Sequence, residues 1–352
     1  MFDRCYNNCY SRSIVMRKLA TIRKIIAIRP IPGADAIECA VIGGWTVVIK
    51  RGEFAAGDLA VYCEIDAWIP THLAPFLSKG QEPREFDGVK GERLRTIRLR
   101  GQLSQGLLLP VSCLTNYGAD LWEGADVSDA LGIVKYEAPI PAQLAGEVKG
   151  MFPGWIQKTD QERIQNLKDE LEYWIREHHV WEVTEKLDGS SMTVYLRDGE
   201  FGVCSRNLEL KPSEANSLWK VAVRNNLESI LRHVNRNLAL QGELIGEGIQ
   251  SNRYKIKGQE FFLFDIYDID ANKYFTPIER KSFIDEHNIK HVPILGMLAM
   301  DEVVTIEYLL KAAEGKSVLE ATTEREGLVF KSKKQQVSFK SISNKFLMKN
   351  GD

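Results

Sequence analysis

The stretch from about residue 17 to residue 112 consists of short apolar segments separated by turn residues, with little helical periodicity. Its turns fall at Pro30 to Gly33, at Gly43-Gly44 and at Gly57-Asp58, where Gly permits a positive φ and Pro fixes its own. This pattern predicts a small β-barrel. The predicted strands are Lys18 to Ile28, Ala36 to Val41, Trp45 to Ile49, Leu59 to Ile65, Leu94 to Leu99 and Gly106 to Val111.

Within this stretch, the passage from Pro30 to Glu38 is followed by an alternating strand, a Gly-Asp turn and a further strand. That order resembles the opening of the OB-type oligonucleotide-binding barrels found in tRNA-binding modules. The resemblance implies contact with nucleic acid. The candidate phosphate contacts are four arginines within eight residues, Arg93, Arg95, Arg98 and Arg100. The alternative is a structural strand whose arginines only keep it in solution.

A segment rich in proline and glycine divides the chain, and mixed strands and helices follow it. We expect the second part to open with a helix that Thr159 or Asp160 caps, because Glu162 can complete a capping box with Thr159. The fold class is therefore α+β. The predicted organisation is an irregular leader at 1–16, an OB-type nucleic-acid-binding domain at 17–134, a linker at 135–158 and a mixed α+β domain at 159–352.

The charge and hydropathy of the chain exclude several classes of protein. A formal net charge of -2 rules out a globally basic protein, so contacts with a nucleic-acid backbone must come from local clusters of Lys and Arg. No run approaches the roughly 18 apolar residues of a membrane span, and the first residues lack the apolar middle of a signal peptide. We therefore expect no membrane partner and a cytoplasmic or nuclear location.

The cysteines show no paired spacing. The chain has 6 of them, scattered from Cys5 to Cys204 without a Cys-x-x-Cys motif, so neither a zinc site nor a disulfide framework is indicated. We expect reduced thiols. Cys5 and Cys9 belong to the leader, within which Met16 is a candidate start of the folded chain.

The first chemically informative motif is Glu185-Lys186-Leu187-Asp188-Gly189-Ser190, which follows a strand-like segment at 180–183. By itself it could be an ordinary Asp-Gly turn beside a surface lysine. Further motifs follow in a fixed order. They are Ser205-Arg206-Asn207, Gln241 to Gly246, Phe261 to Ile266, Glu326 to Lys331 and Ser338-Phe339-Lys340.

This ordered set resembles the nucleotidyltransferase superfamily of DNA ligases, RNA ligases and mRNA capping enzymes. The resemblance implies that Lys186 attacks the α-phosphate of a nucleotide, and that Asp188, Glu243 and Glu326 hold a metal mainly through water. It also implies nucleotide contacts from Glu185, Arg206, Phe262 or Phe264, Lys331 and Lys340. Phe262 and Phe264 share one face of a strand, so we expect one of them to line the pocket. A second lysine common in relatives is replaced here by Ile342.

One branch of the superfamily is especially similar. A barrel before the catalytic domain, together with the passage from Phe152 to Asn166, looks like the RNA ligase family that seals nicks with 3′-hydroxyl and 5′-phosphate ends. DNA ligases and capping enzymes usually place their OB domain after the catalytic one. The resemblance implies an ATP-dependent, monomeric RNA ligase that uses Mg²⁺ or Mn²⁺ and acts on RNA ends.

The chemistry sets a demand on Lys186. A lysine of ordinary pKa, near 10.4, leaves only about one amine in a thousand neutral around pH 7, so the site should lower that pKa. We expect Lys340, Arg206 and a bound metal to do so, with Asp188 and Glu326 opposing them. In similar RNA ligases the acidic residue before the lysine accepts the exocyclic amine of adenine, which favours ATP over GTP and gives this role to Glu185.

Three alternatives stay open on the sequence. A DNA ligase or a broad nick-sealing repair ligase would share the covalent chemistry, because only contacts to a 2′-hydroxyl tell RNA from DNA. A capping-type guanylyltransferase is disfavoured by the domain order. A non-catalytic nucleic-acid-binding protein is disfavoured because Lys186, Glu243, Glu326 and Lys340 are all present.

Overall fold

The computed structural model describes residues 17–115, 122–137, 146–177, 179–333 and 337–350. The chain divides into two compact units, residues 1–137 and 138–352. The predicted leader at 1–16 lies outside the described residues, as do residues 138–145 of the predicted linker. Within the described ranges, no helix has the length and apolar character needed to cross a bilayer.

The N-terminal unit is built from short antiparallel strands. Their order in the sheets is β1-β5-β11, β2-β3-β4, β12-β6-β8-β7 and β10-β9. The strands are β1 (Ala20–Lys24), β2 (Ala27–Pro30), β3 (Ile37–Ile42), β4 (Trp45–Lys50), β5 (Leu59–Cys63), β6 (Ala67–Pro70), β7 (Arg84–Phe86), β8 (Val89–Arg93), β9 (Ile97–Leu99), β10 (Gln102–Ser104), β11 (Leu107–Pro110) and β12 (Val134–Lys135).

The predicted single strand at 18–28 is in fact two strands, β1 and β2. The break falls where the backbone changes partners. The N–H of Ile25 donates to the carbonyl of Asp58 at 2.9 Å, whereas the N–H of Ile26 donates to Val41 at 2.8 Å. The chain thus leaves the sheet of β5 and enters the sheet of β3. The alternation of apolar residues does not encode which strand a segment pairs with.

The predicted strand from Leu94 to Leu99 is also shorter, because only Ile97–Leu99 forms a strand. Leu94 is buried, and its backbone N–H instead donates to the carbonyl of Ala67 at 2.9 Å.

Gly106, immediately before β11, has a φ of +113°, and a Cβ at this residue would lie 2.5 Å from the ring of Tyr62. Only glycine fits this crossing.

The C-terminal unit mixes two sheets with helices, so the α+β prediction is confirmed. A seven-stranded sheet has the order β13-β18-β17-β16-β19-β20-β21, and a five-stranded sheet has the order β14-β24-β23-β15-β22. The strands are β13 (Val148–Met151), β14 (Glu162–Arg163), β15 (Val180–Lys186), β16 (Ser190–Arg197), β17 (Glu200–Cys204), β18 (Leu208–Leu210), β19 (Leu238–Gly246), β20 (Gln259–Asp268), β21 (Lys273–Tyr274), β22 (Ile294–Ala299), β23 (Gly327–Ser332) and β24 (Ser338–Ile342). The helices are α1 (Lys168–Arg176), α2 (Ser217–Arg224), α3 (Leu227–Val234), α4 (Pro277–His287), α5 (Ile306–Ala313) and α6 (Asn344–Asn350).

The predicted helix start at Thr159 or Asp160 is wrong, because α1 begins only at Lys168. The preceding segment pairs with β24 in parallel, with Glu162 opposite Phe339. The carboxylate of Glu162 accepts the N–H of Arg163 at 2.8 Å and therefore closes no capping box. Pairing with a strand far along the chain outweighs the local helix signal.

Two apolar cores support the two sheets. The seven-stranded sheet packs against α2, α3 and α4 through buried aliphatic residues such as Leu231, Leu240 and Ile284. The five-stranded sheet packs against α1 and α5 around stacked aromatic rings, with Trp174 and Phe339 centroids 5.4 Å apart. The turn at 187–189 leads from β15 of the five-stranded sheet into β16 of the seven-stranded sheet, and it carries the Lys-x-Asp-Gly motif.

Candidate active site

Lys186 ends β15 and faces a carboxylate. Its Nζ lies 2.7 Å from Glu326, the residue immediately before β23. Antiparallel pairing explains the contact, since Lys186 is opposite Gly327 in the register of β15 and β23. The motif glycine that follows, Gly189, has no room for a side chain, because a Cβ would lie 2.4 Å from the carbonyl of Leu244. The sheet pairing therefore brings the predicted motifs of Lys186 and Glu326 together.

Glu243 projects into the same place from the middle of β19, where it lies opposite Ser191 of β16. Burial raises the pKa of Glu243 to about 8, with the charges of Glu326 and Asp188 adding to the rise and Lys186 opposing it. The three predicted metal carboxylates thus converge on Lys186.

The electrostatics of Lys186 differ from the sequence expectation. Burial by itself would lower the pKa of Lys186, but the carboxylates of Glu326, Glu243 and Asp188 together outweigh burial and raise it. These carboxylates therefore favour the ammonium form of the amine. The lowering of its pKa by Lys340, Arg206 and a bound metal stays a prediction.

Lys340 and Arg206 converge on a residue that sequence reasoning missed. Asp160 lies 3.6 Å from the Nζ of Lys340 and 3.8 Å from the guanidinium of Arg206. The two predicted phosphate-binding cations are thus brought together across one carboxylate. No motif signalled Asp160, which the sequence had suggested only as a helix cap.

Asp188 has two partners that were also missed. The guanidinium of Arg253 lies 2.6 Å from its carboxylate, and the Asp188 backbone N–H donates to the hydroxyl of Tyr254 at 2.7 Å. Both partners come from the loop between β19 and β20. Nothing in the sequence pattern distinguishes this loop from an ordinary connection between strands.

The two candidate aromatic residues of β20 differ in their surroundings. Phe262 is 8% exposed and belongs to a buried cluster with Leu187, Ile245 and Tyr254. Phe264 is only partly buried and packs at the margin of that cluster. Phe262 is therefore a core residue beside the nucleophile turn, and Phe264 is the more accessible ring.

Lys331 is not beside Lys186. It lies opposite Glu182 in β15, four residues along the register from Gly327, which corresponds to about 13 Å at the usual strand rise. Its Nζ donates to the carboxylate of Asp265 at 2.7 Å and to the carbonyl of Phe264. Burial lowers the pKa of Lys331 to about 8, against the charge of Asp265. This lysine belongs to a buried ion network that also contains Arg280.

Glu185 is almost completely buried, with 1% of its surface exposed. Its carboxylate accepts the backbone N–H of Val318 at 2.8 Å, and burial raises the pKa of Glu185. Glu185 is therefore a buried residue, held in place immediately before the nucleophile Lys186.

The arginines of the N-terminal unit fall into two groups. Arg93 is tied to Asp66, with 2.5 Å between guanidinium and carboxylate, and lies over the ring of Tyr136. The other three are exposed: Arg95, Arg98 and Arg100. The four cysteines that the structure describes, Cys39, Cys63, Cys113 and Cys204, are free thiols.

The carboxylates around Lys186 suit a hydrated cation. Across the described ranges, no cluster of three or more His, Cys, Asp or Glu side chains is arranged to coordinate a metal directly. The converging oxygens of Asp188, Glu243 and Glu326 instead match a hard divalent ion that retains its waters. That these residues hold a metal mainly through water stays a prediction.

Comparison with known proteins identifies the family. A model of the RNA ligase family matches residues 179–347, and a model of an OB-fold domain matches residues 19–111. A search of curated proteins found no match. The predicted OB-type domain followed by a nucleotidyltransferase domain is thereby confirmed.

Solved structures of Naegleria gruberi RNA ligase are similar over nearly the whole chain. A variant with ATP and Mn is 50% identical and covers 95% of this chain and 99% of its own, with a TM-score of 0.87. A variant with AMP and Mn is 51% identical, covers 96% and 100%, and has a TM-score of 0.88. The ligase with PPi is 51% identical, with the same coverage and a TM-score of 0.87. This chain therefore belongs to the RNA ligase family.

Proposed function

We propose that this protein is an ATP-dependent ligase that joins the 3′-hydroxyl and 5′-phosphate ends of RNA, at nicks in duplexes, through AMP held covalently on Lys186. The observation that carries the proposal is the position of Lys186, whose Nζ lies 2.7 Å from Glu326. The similar ligase structures that contain ATP, AMP or PPi support it, since ATP is the substrate of such a reaction sequence and PPi and AMP are its products.

In the first step, the lone pair of Lys186 Nζ forms a bond to the α-phosphorus of ATP. The bond from that phosphorus to the bridging oxygen breaks, and pyrophosphate leaves. The amine must first lose a proton. Glu326 is positioned to accept it across the 2.7 Å contact, because general-base transfer requires hydrogen-bond distance.

Lys340 and Arg206 would bind the phosphate oxygens, where fixed charges stabilise the charge of the transition state. Both cations lie near Asp160, so phosphate oxygens would compete with this carboxylate for them. A divalent cation held through water by Asp188, Glu243 and Glu326 would supply further positive charge at the phosphate.

Two transfers complete the reaction. An oxygen of the 5′-phosphate attacks the phosphorus of the adenylate, the bond to Lys186 Nζ breaks, and the amine regains a proton. The 3′-hydroxyl then attacks the 5′-phosphorus, AMP leaves, and a phosphodiester forms. Both transfers use the phosphate-binding residues of the first step.

For adenine, we propose recognition by Glu185 and stacking on Phe264. Phe264 is the more accessible of the two aromatic candidates. Glu185 is rigidly placed by Val318, which is what a specificity residue requires. Formation of a guanylate in preference to an adenylate, when both nucleotides are offered together, would contradict this assignment.

For the nucleic acid, we propose that Arg95, Arg98 and Arg100 contact phosphates of the bound strands. Their exposure supports the proposal, whereas Arg93 is held by Asp66 and serves the unit's own structure. A DNA ligase remains the rival function. Sealing of nicked duplexes with RNA or DNA on the 3′-hydroxyl side distinguishes the two.

The direct test is intact mass spectrometry of nucleotide-free protein after exposure to ATP and a divalent metal. We expect one added AMP unit, which Lys186→Ala should abolish. An unmodified wild-type mass, or an adenylate on the Lys186→Ala protein, would overturn the proposed function.

A further inference from the structure

One loop contacts the turn that immediately follows the nucleophile, Lys186. We call residues 247–258, which connect β19 to β20, the clasp loop. Gln250 donates to the carbonyl of Gly189 at 3.2 Å, and Arg253 lies 2.6 Å from the carboxylate of Asp188. Tyr254 accepts the backbone N–H of Asp188 at 2.7 Å. The clasp loop therefore contacts Asp188 and Gly189, the two residues immediately after Leu187.

The clasp loop is itself well fixed. The N–H of Glu247 donates to the carbonyl of Gly258 at 2.7 Å, which closes the loop at its base. The side chain of Asn252 both donates to the Ile256 carbonyl, at 3.0 Å, and accepts the Ile256 N–H, at 3.1 Å. Such a loop can hold a side chain in place because it has little freedom of its own.

The side chain of Arg253 is also constrained from outside the clasp loop. Its guanidinium lies 4.6 Å from the ring centroid of Phe346 in α6, an arrangement that favours a cation over an aromatic face. The backbone carbonyl of Arg253 accepts a hydrogen bond from the hydroxyl of Thr323 at 2.9 Å. The side chains of Arg253 and Asp188 are only 16% and 17% exposed, so water screens their contact weakly.

Asp188 needs such a partner because of its surroundings. Three carboxylates converge on the amine of Lys186, and the charges of Glu326, Glu243 and Asp188 all act on it. Without Arg253, the Asp188 carboxylate would be drawn toward the ammonium of Lys186. It would then leave the position from which it can face the waters of a divalent cation.

We propose that Arg253 is a positioning residue for the adenylation step, which holds the Asp188 carboxylate and, through it, the Lys-x-Asp-Gly turn. The inference rests on the proposed function, since it concerns the same lysine. It assigns a role to a residue outside the predicted motifs. Arg253 acts through Asp188, the carboxylate that its guanidinium contacts.

The test is a double-mutant cycle of Arg253→Met and Asp188→Asn, with single-turnover adenylation as the first readout. Removing a charge-assisted hydrogen bond should slow adenylation on the order of 10- to 100-fold in the Arg253→Met protein. In the Asp188→Asn background the same substitution should have no further effect, because the partner is already lost. Additive effects in the cycle would overturn the proposal.

A second readout does not depend on turnover. With a non-hydrolysable ATP analogue present, the electron paramagnetic resonance signal of free Mn²⁺ reports metal affinity. Arg253→Met should weaken Mn²⁺ binding about as much as Asp188→Asn does, while the affinity for the analogue changes little. Unchanged Mn²⁺ affinity in the Arg253→Met protein, beside a clear loss in the Asp188→Asn protein, would contradict the proposal.

Controls separate this role from general damage. Arg232→Met removes an exposed arginine of α3 that pairs with Glu228, and it should leave both readouts unchanged. If Arg253→Met protein does not fold, Arg253→Lys replaces it in the cycle, with a few-fold loss expected only where Asp188 is intact. Wild-type protein that forms no adenylate would instead refute the proposed function.

Discussion

The amine of Lys186 and the carboxylate of Glu326 form a direct contact of 2.7 Å between the end of β15 and the start of β23. The contact favours the ammonium form of the nucleophile, because Glu326 is among the carboxylates that raise the pKa of Lys186. It also supplies the acceptor for the proton that must leave. The contact between Lys186 and Glu326 therefore accounts both for the protonated form of the amine and for the removal of its proton before attack.

The first prediction follows from that pair. Glu326→Gln should slow adenylation by at least about 100-fold, the usual contribution of a general base. Radiolabelled ATP in a single-turnover assay measures the rate. Glu177→Gln, which changes an exposed carboxylate at the end of α1, is the matched control. An adenylation rate within a few-fold of wild type would show that another group accepts the proton.

A second prediction concerns Asp160. Because it lies near Lys340 and Arg206, Asp160→Asn should leave both cations more available to phosphate. Exposed pairs are worth about 0.2–1 kcal/mol, so the KM for ATP should fall roughly two- to five-fold, with a larger change at low salt. A higher KM would mean that Asp160 instead orients the two cations for binding.

The third prediction separates two lysines that the motifs treat alike. Lys331→Met should destabilise the protein by about 3–5 kcal/mol, because it leaves buried Asp265 without its ammonium partner. Lys340→Met should leave stability nearly unchanged and abolish adenylation. Urea unfolding followed by tryptophan fluorescence measures the first effect. Equal stability of the two variants would contradict the buried network.

A fourth prediction uses His291, whose Nε2 accepts from the guanidinium of Arg280 at 3.0 Å. Burial lowers the pKa of His291 to about 3, and the charges of Arg280 and Lys331 lower it further. Between about pH 6.5 and pH 3 the unfolded chain therefore binds a proton that the folded chain does not, and stability falls as pH falls.

His291→Asn should remove this part of the acid sensitivity. The loss in wild type should reach about 2 kcal/mol at pH 5 relative to pH 8. Unfolding curves at both pH values, compared between wild type and variant, measure the difference. Parallel pH dependence in the two proteins would show that His291 is not the group responsible.

The fifth prediction concerns the exposed arginines. Paired substitution of Arg98 and Arg100 by Ala should weaken binding of nicked duplex and reduce the slope of log K against log salt by about 1 to 2, because phosphate contacts release counterions. Adenylation should be unchanged. Arg93→Ala, which breaks a pair with Asp66, should lower stability more than RNA affinity. Equal loss of affinity in both proteins would refute the distinction.

The local sequence determined the elements that carry the chemistry. The Lys-x-Asp-Gly turn requires a glycine because the Leu244 carbonyl lies where a Cβ would be, and the motifs around Glu243 and Glu326 lie on strands with clear apolar patterns. The family and the α+β class followed from these motifs. Alternation and turn residues also placed β3, β4, β5 and β11 to within a few residues, whereas β6, β7, β8, β10 and β12 were not predicted.

Tertiary structure alone decided which charges meet. Parallel pairing with β24 placed Glu162 in a strand where a helix was expected, and it fixed the segment that brings Asp160 near Lys340. The clasp loop brought Arg253 to Asp188, and the register of β23 placed Lys331 in a buried network far from Lys186. A pKa depends on neighbours within a few ångströms. Here such neighbours include Lys186 and Glu326, which are 140 residues apart in the chain, so a local sequence pattern does not reveal them.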